Sequence, residues 1–381
     1  MGPLSGLKVI EFAGIGPGPF CAMVLSDMGA EVLRIDRSGA SSLPIALDPT
    51  KDVLNRGRRS VMLDLKHPQG IEAVLQLCER ADALIEGYRP GVMERLGLGP
   101  DECLRRNPKL VYGRMTGWGQ DGPLAKRAGH DITYIATSGV LHTIGRQGEL
   151  PVPPSGFIGD MGGGGLLLAF GLLCALFEAR NSGLGQVVDA AMVDGSSLLG
   201  AGLYGLMAMG LFDADRWGVN MGDTGSHFYE VYETSDDKLI AVGALEPQFY
   251  AQLLAGLGLS ADELPAQMDS AAWPGMKRRF AAIFRTKTRS EWESMFNGKD
   301  ACVAAVLSPR EAANGAHMKA RQSFTHAFGV LQPSPAPRFS RTPGAISRPP
   351  PAPGEDADEA LADWGFGLES IRALRQGGVL G

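Results

Sequence analysis

Short apolar runs alternate with stretches of helical period through the first half of the chain. Residues 7–13 are one such run, followed by Gly14-Ile-Gly-Pro-Gly-Pro19 and a helical pattern to Met28. Residues 31–36 read as a second strand and 61–65 as a third, with a helix over 68–80 opened by His67-Pro68. Residues 83–87 and 110–115 read as further strands. Strands alternating with helices imply a mainly parallel sheet with crossover helices, an α/β fold. After Gly165 the pattern turns helical, 186–189 give one more strand, and a long apolar helix runs to about Phe212. Residues 228–234 and 239–243 flank Ser235-Asp-Asp-Lys238, a hairpin signal, and helices follow over 247–296. This second region reads as a smaller α+β domain. Proline-rich 333–353 should be an extended tie or linker, and 355–375 regain helical character. The expected division is therefore 1–190 for the first part of a large domain, 191–225 for a long helix and linker, 226–330 for a small domain, and 331–381 for a return segment that completes the large one.

Composition narrows the class. Glycine supplies 52 of 381 residues, about twice the usual share, without the three-residue period of collagen. Hydrophobic residues at 44% against 20% charged argue against disorder. Something must turn tightly or come close to the backbone in many places. A net charge of −6 with no Lys/Arg-rich block or zinc-finger spacing points away from nucleic acid. Cysteines 21, 78, 103, 174 and 302 are scattered and contain no C-x-x-C pair, which suits a reducing cytoplasm better than disulfides or a metal site. The first residues have no signal-peptide pattern and the last are no peroxisomal tail. Uncharged 161–177 and 196–212 read as buried core or interface helices rather than membrane spans. A cytoplasmic protein without a membrane partner is expected.

The chemistry concentrates in a few places. Gly14-x-Gly16 after a strand invites a dinucleotide-binding reading, with Asp36 spaced like a ribose-binding acid. The third small residue of that fingerprint is Pro19 here, so a tight turn feeding a helix is the stronger reading. Arg37, Arg56, Arg58, Arg59 and Lys66 group near strand ends, which fits either a phosphorylated ligand or a solvated basic face. His130 follows Gly129 and precedes a helical run, so it can project from a helix start. Asp160 stands before four glycines and an apolar helix; it reads as a cap, or as a carboxyl beside backbone N–H donors that stabilise an oxyanion. Glu246 before Pro247 reads as a helix start or as the carboxylate that orients a histidine. A histidine and an aspartate on either side of an oxyanion site would remove a proton α to a carbonyl on one face and return it on the other.

The motifs Gly14-Ile-Gly-Pro-Gly-Pro-Phe-Cys-Ala-Met23, Val32-Leu-Arg-Ile-Asp-Arg37, Leu63-Asp-Leu-Lys66, Glu86-Gly-Tyr-Arg-Pro-Gly91, Arg95-Leu-Gly-Leu-Gly99, Gly129-His-Asp-Ile-Thr-Tyr134, Gly185-Gln-Val-Val-Asp-Ala190 and Asp300-Ala-Cys-Val303 occur in this order. Together they resemble the α-methylacyl-CoA racemases, within the type III CoA-transferases, over nearly the whole length. The resemblance implies a Rossmann-like large domain, a smaller domain, and an interlocked homodimer whose active site is shared between subunits. It implies His130 and Asp160 as the two bases and Glu246 as the partner of His130. CoA, part of the substrate and the sole cofactor-like group, would meet Arg37, Leu63, Asp64, Leu65, Lys66, Gly87, Tyr88, Arg89, Arg95, Gly129, Asp131, Ile132, Thr133 and Tyr134. No separate cofactor or metal is implied. The thioester oxygen would meet the backbone N–H of Asp160. Two segments depart from the racemase pattern: Asn220-Met-Gly-Asp-Thr-Gly-Ser-His227, and Ala304-Ala305 where Thr-Pro is usual. Alternatives are a CoA-transferase with Asp160 as nucleophile, and an acyl-CoA-binding protein without catalysis.

Overall fold

The computed structural model describes residues 2–37 and 47–381. The chain forms two compact units, Met1–Ser138 with Pro154–Leu199 and Gln322–Gly381, and Gly139–Pro153 with Gly200–Arg321.

The first unit is built on six parallel strands: β1 (Lys8–Phe12), β2 (Glu31–Arg37), β3 (Arg58–Leu63), β4 (Ala83–Glu86), β5 (Val111–Thr116) and β6 (Val187–Ala191). Their order is β3-β2-β1-β4-β5-β6, the doubly wound arrangement, in which ligands bind outside the carboxyl ends of the strands where the order reverses. Here the reversal falls between β1 and β4. Helices cover both faces, so the strands are nearly all buried and read as apolar runs. One core gathers Ile10, Leu33, Leu84 and Tyr112 with Trp364 and Leu374 from the chain's end. The other packs Val9, Val32 and Ile85 against Leu168 and Leu172. The carboxy-terminal segment thus belongs to the first unit.

β3 starts three residues earlier than its apolar pattern, because Arg58, Arg59 and Ser60 enter the sheet with partners. Arg58 is wholly buried and donates from Nε to Glu11 Oε2 at 2.9 Å. Its other donors meet the carbonyls of Pro19, Leu54 and Arg56. Arg56 pairs with Asp27 and donates to Gln332 Oε1 at 2.8 Å; Arg59 pairs with Glu31 and with Asp363 at 2.6 Å. Arg56 and Arg59 therefore staple the carboxy-terminal segment to the sheet. The reading of these three arginines as ligand cations is corrected: their donors are consumed inside.

Residues Phe157–Ser182 form the one helix, among those described, long and apolar enough to cross a membrane by length and composition. Its inner face, Leu168, Leu172, Ala175 and Ala179, is core; Phe170 and Phe177 are exposed. Its first ten residues, Phe157–Leu166, are wound as a π-helix. The long apolar helix expected to run to Phe212 is interrupted at Gly200, giving Met192–Leu199 and Ala201–Ala208.

The second unit pairs β7 (Tyr229–Glu233), β8 (Leu239–Gly243) and β9 (Val303–Ala305) as an antiparallel sheet. Helices Pro247–Leu257, Trp273–Phe284 and Arg289–Phe296 cover it, and Phe280, Phe284 and Trp292 from the helices share an aromatic core with Phe228 and Tyr232. Residues 139–153, placed by sequence in the first domain, group with this unit. Arg146 pairs with the buried Glu230 at 2.8 Å, Trp217 Nε1 donates to Glu149 O, and Thr224 Oγ1 donates to Gly145 O. The departing segment is internal here. Asp223 accepts from the N–H groups of Gly218 and Asn220, Thr224 takes φ +79, and His227 is buried with Nε2 2.8 Å from Tyr250 Oη. Burial lowers the His227 pKa to about 4, so the ring is neutral.

Candidate active site

The carboxyl ends of β2, β3 and β4 carry four cations. Arg37 ends β2, Lys66 follows β3, Arg89 follows β4, and Arg95 ends the short helix Val92–Arg95. All four are exposed and, among the described residues, none has a carboxylate within ion-pair distance. The Arg37 guanidinium lies 5.5 Å from the Tyr88 ring centre. Leu63 and Leu65 are buried in the core, so their side chains face inward and only backbone is left for a ligand. The Asp64 carboxylate accepts the Lys66 N–H at 2.9 Å and shapes this turn.

Glu86, fully buried, is a residue sequence reasoning passed over. Its Oε2 accepts the Tyr88 N–H at 2.7 Å, and Oε1 accepts from Arg114 Nε at 2.9 Å. It thereby fixes the loop through Gly87, Tyr88 and Arg89. Burial raises its pKa to about 7 against these lowering contacts. The signal was present: an acid ending an apolar strand, with an arginine on the neighbouring strand in register, Glu86 opposite Arg114.

Past β5 the chain reaches Gly129 and His130. His130 is exposed and caps the helix Asp131–Thr137. Thr133 Oγ1 donates to the His130 carbonyl at 2.7 Å and accepts its N–H at 3.0 Å. This brace holds the backbone of the histidine. Ile132 is exposed, whereas Tyr134 is buried edge-on against Trp118 at 4.8 Å. Burial raises the pKa of the Tyr134 hydroxyl, and the Asp160 charge adds to the rise while Arg89 opposes it.

Asp160 is not the helix cap. The helix begins at Phe157 after Gly156, so Asp160 sits in the first turn, where backbone N–H groups lack helical partners. Its N–H goes to Asp131 Oδ1 at 2.8 Å. Its carboxyl accepts no hydrogen bond among the described residues. Burial pushes its pKa up to about 6; Asp131 raises it further, and His130 partly offsets this. Asp131 and His130 therefore both act on the Asp160 carboxyl within the first unit. Three of the four glycines after Asp160 serve close packing. A Cβ at Gly163 would lie 2.7 Å from Ser196 N, one at Gly164 2.9 Å from Pro17 Cβ, and one at Gly165 2.7 Å from Phe20.

Glu246 belongs to the second unit. It precedes the helix Pro247–Leu257, whose Phe249 and Tyr250 N–H groups meet its carbonyl at 3.0 and 2.9 Å. Its carboxylate is exposed. Among the described residues, no three His, Cys, Asp or Glu side chains group as a metal site.

A parallel doubly wound sheet with cations along its carboxyl ends, beside a partly buried carboxyl and a histidine, suits an enzyme that takes an anionic ligand and moves protons. The chain belongs to the CoA-transferase family III, whose model matches residues 4–357. It is 49% identical over 373 residues to the α-methylacyl-CoA racemase of Mus musculus, covering 97% of this chain and 96% of that one. To the α-methylacyl-CoA racemase of Homo sapiens it is 46% identical over 379 residues, covering 99% and 97%. A CaiB/BaiF family protein from Brucella suis has the same fold, with a TM-score of 0.82 at 23% identity over 95% of this chain and 99% of its own length.

Proposed function

We propose that the protein interconverts the two epimers of a 2-methyl-branched acyl-CoA. Asp160 carries the reading: a carboxyl without a hydrogen-bond partner among the described residues, lifted by burial to about 6, with the His130 charge acting on it. A base with that pKa is largely ionised at neutral pH, and its conjugate acid is strong enough to give the proton back. One of the pair takes the α-proton, the C–H electrons move into the thioester carbonyl, and the enolate is reprotonated on the opposite face by the other. The two bases end with their protons exchanged and reset through water. The identity of about half the chain to two racemases supports this chemistry.

The enolate oxygen is assigned to the Asp160 N–H in the first turn of its helix, where donor and dipole act together. Asp131 Oδ1 accepts that N–H, so the acyl oxygen has to displace a carboxylate to use it. Arg37, Lys66, Arg89 and Arg95 bind the phosphates of CoA, and the loop held by Glu86 receives its body. Glu246 orients His130, and we assign it to a second copy of the chain. The exposed Phe170, Leu173 and Phe177, and the helix Ala201–Ala208 with no buried residue, are the surfaces a homodimer would cover. Five free cysteines suit a cytoplasmic location.

The test uses one epimer of a 2-methylacyl-CoA in D2O with no acceptor acid. Deuterium is expected at the α-carbon together with loss of stereochemical purity. Absence of exchange, with CoA transfer appearing once a carboxylic acid is added, would instead establish the transferase with Asp160 as nucleophile. His130→Ala should cut exchange starting from one epimer at least a hundredfold, and interconversion with it, while acyl-CoA still binds.

A further inference from the structure

The glycine turn after β1 has the place of a dinucleotide loop, yet its nearest functional neighbour is Asp160. Gly16 has φ +69, and a Cβ placed on it would lie 2.9 Å from Asp160 Oδ2 and 3.4 Å from Cγ. Gly156, at φ +80, borders the same oxygen, with 3.9 Å from its Cβ position. The carboxyl is thus flanked by two residues that have no side chain. The turn is also poorly able to retreat. Pro17 and Pro19 stiffen it, the buried Arg58 donates to the Pro19 carbonyl, and Arg58 is in turn held by Glu11. From the other side, Gly164 and Gly165 press the Asp160 helix onto Pro17 and Phe20. Asp131 pins the Asp160 backbone. The charged groups acting on the carboxyl, Asp131 and His130, come from the start of one helix; the turn contributes none.

We infer that Gly16 is a positioning residue: the first strand–helix turn, buttressed by the Arg58–Glu11 pair, is the wall that fixes the Asp160 carboxyl in its working orientation. This deepens the racemase reading and relies on it only for the reaction in which Asp160 works.

The test is Gly16→Ala beside Gly6→Ala. Gly6 also has positive φ, +91, but nothing within 4 Å of a Cβ, so it reports the backbone cost of alanine alone. Gly16→Ala should lower kcat at least tenfold with KM for acyl-CoA within about twofold, because the methyl displaces the carboxyl and leaves CoA contacts intact. Gly6→Ala should leave both unchanged. A second readout needs no activity. Thermal unfolding of Gly16→Ala, Asp160→Ala and the double variant forms a cycle. Gly16→Ala should cost several degrees more than Gly6→Ala, and that excess should disappear when Asp160 is alanine. A Gly16→Ala protein that folds only with Asp160→Ala gives the same answer. Unchanged kcat, or an excess that persists without the Asp160 carboxyl, overturns the inference. If the wild-type protein exchanges no α-proton, the racemase reading falls, and the unfolding cycle still decides what Gly16 does.

Discussion

Arg58 in β3 and Arg89 in the loop after β4 have opposite surroundings. Arg58 opens β3 with no exposure, one carboxylate and three carbonyls around it. Arg89 follows β4 in the open, without an ion-pair partner among the described residues. The same contrast separates Arg56 and Arg59 from Arg37, Lys66 and Arg95. A cation inside a low-dielectric core is tolerable only when every donor is met, and it then locks the groups it meets. A cation at the strand ends remains hydrated and unpaired, available for an anion that arrives from solution. The number of positive charges in this stretch therefore says little; what separates them is whether each meets partners inside the fold or stays open to solution.

The sharpest way to break the comparison is at Arg58. Arg58→Ala leaves Glu11 charged and unpaired in the core, a loss of about 3–5 kcal/mol in urea unfolding. Adding Glu11→Gln should recover only part, since the carbonyls of Pro19 and Leu54 still lose the guanidinium they accept from. Full recovery would show that the ion pair alone matters and that the turn is not held through Pro19.

At the strand ends the effect should move from stability to binding. Arg37→Ala and Arg89→Ala are each expected to raise KM for acyl-CoA about tenfold, near 1.4 kcal/mol, with unfolding changed by under about 0.5 kcal/mol. Raising salt should weaken wild-type binding more than that of either variant. An acyl-pantetheine substrate, which lacks the nucleotide phosphates, should respond to neither substitution. A stability loss in place of a KM change would put these arginines with Arg58.

Much of this contrast was hidden from the sequence for identifiable reasons. The apolar cores of β1, β2, β4 and β5 mark themselves by composition, and their alternation with helices suffices for the α/β class. β3 hid its start because a buried arginine looks polar until its partner, Glu11, forty-seven positions away, is brought beside it. β9 has three residues and too little pattern to notice. Residues 139–153 moved to the second unit through Arg146 and Glu230, a pairing that no local rule contains. At the candidate site, His130 and Asp160 drew attention through the residues beside them, a glycine turn and a glycine run. The purpose of those glycines was not legible. A glycine announces that space is short without saying what fills it, and at Gly163, Gly164 and Gly165 the occupants are Ser196, Pro17 and Phe20.

Asp160 completes the comparison as a charge that is partly buried without the partners Arg58 has. Its pKa in the folded chain, about 6, lies above the ordinary 3.8. The protonated form is therefore the one the fold prefers, and stability from this site is full below about pH 4, falls as pH rises through 4–6, and stays reduced above. Asp160→Asn removes the titration while keeping the shape. At pH 7.5 the variant should be more stable than wild type by about 1 kcal/mol, a figure already reduced for the solvent that reaches a half-buried carboxyl. At pH 5 the gap should be clearly smaller. Urea unfolding at the two pH values measures it, in the same experiment that reads Arg58→Ala. The opposite signs expected for the two substitutions separate a charge that the fold uses for itself from one it carries for chemistry. A variant less stable than wild type at pH 7.5 would show that the Asp160 carboxylate has a partner in the folded protein, and would remove the basis for its poised pKa.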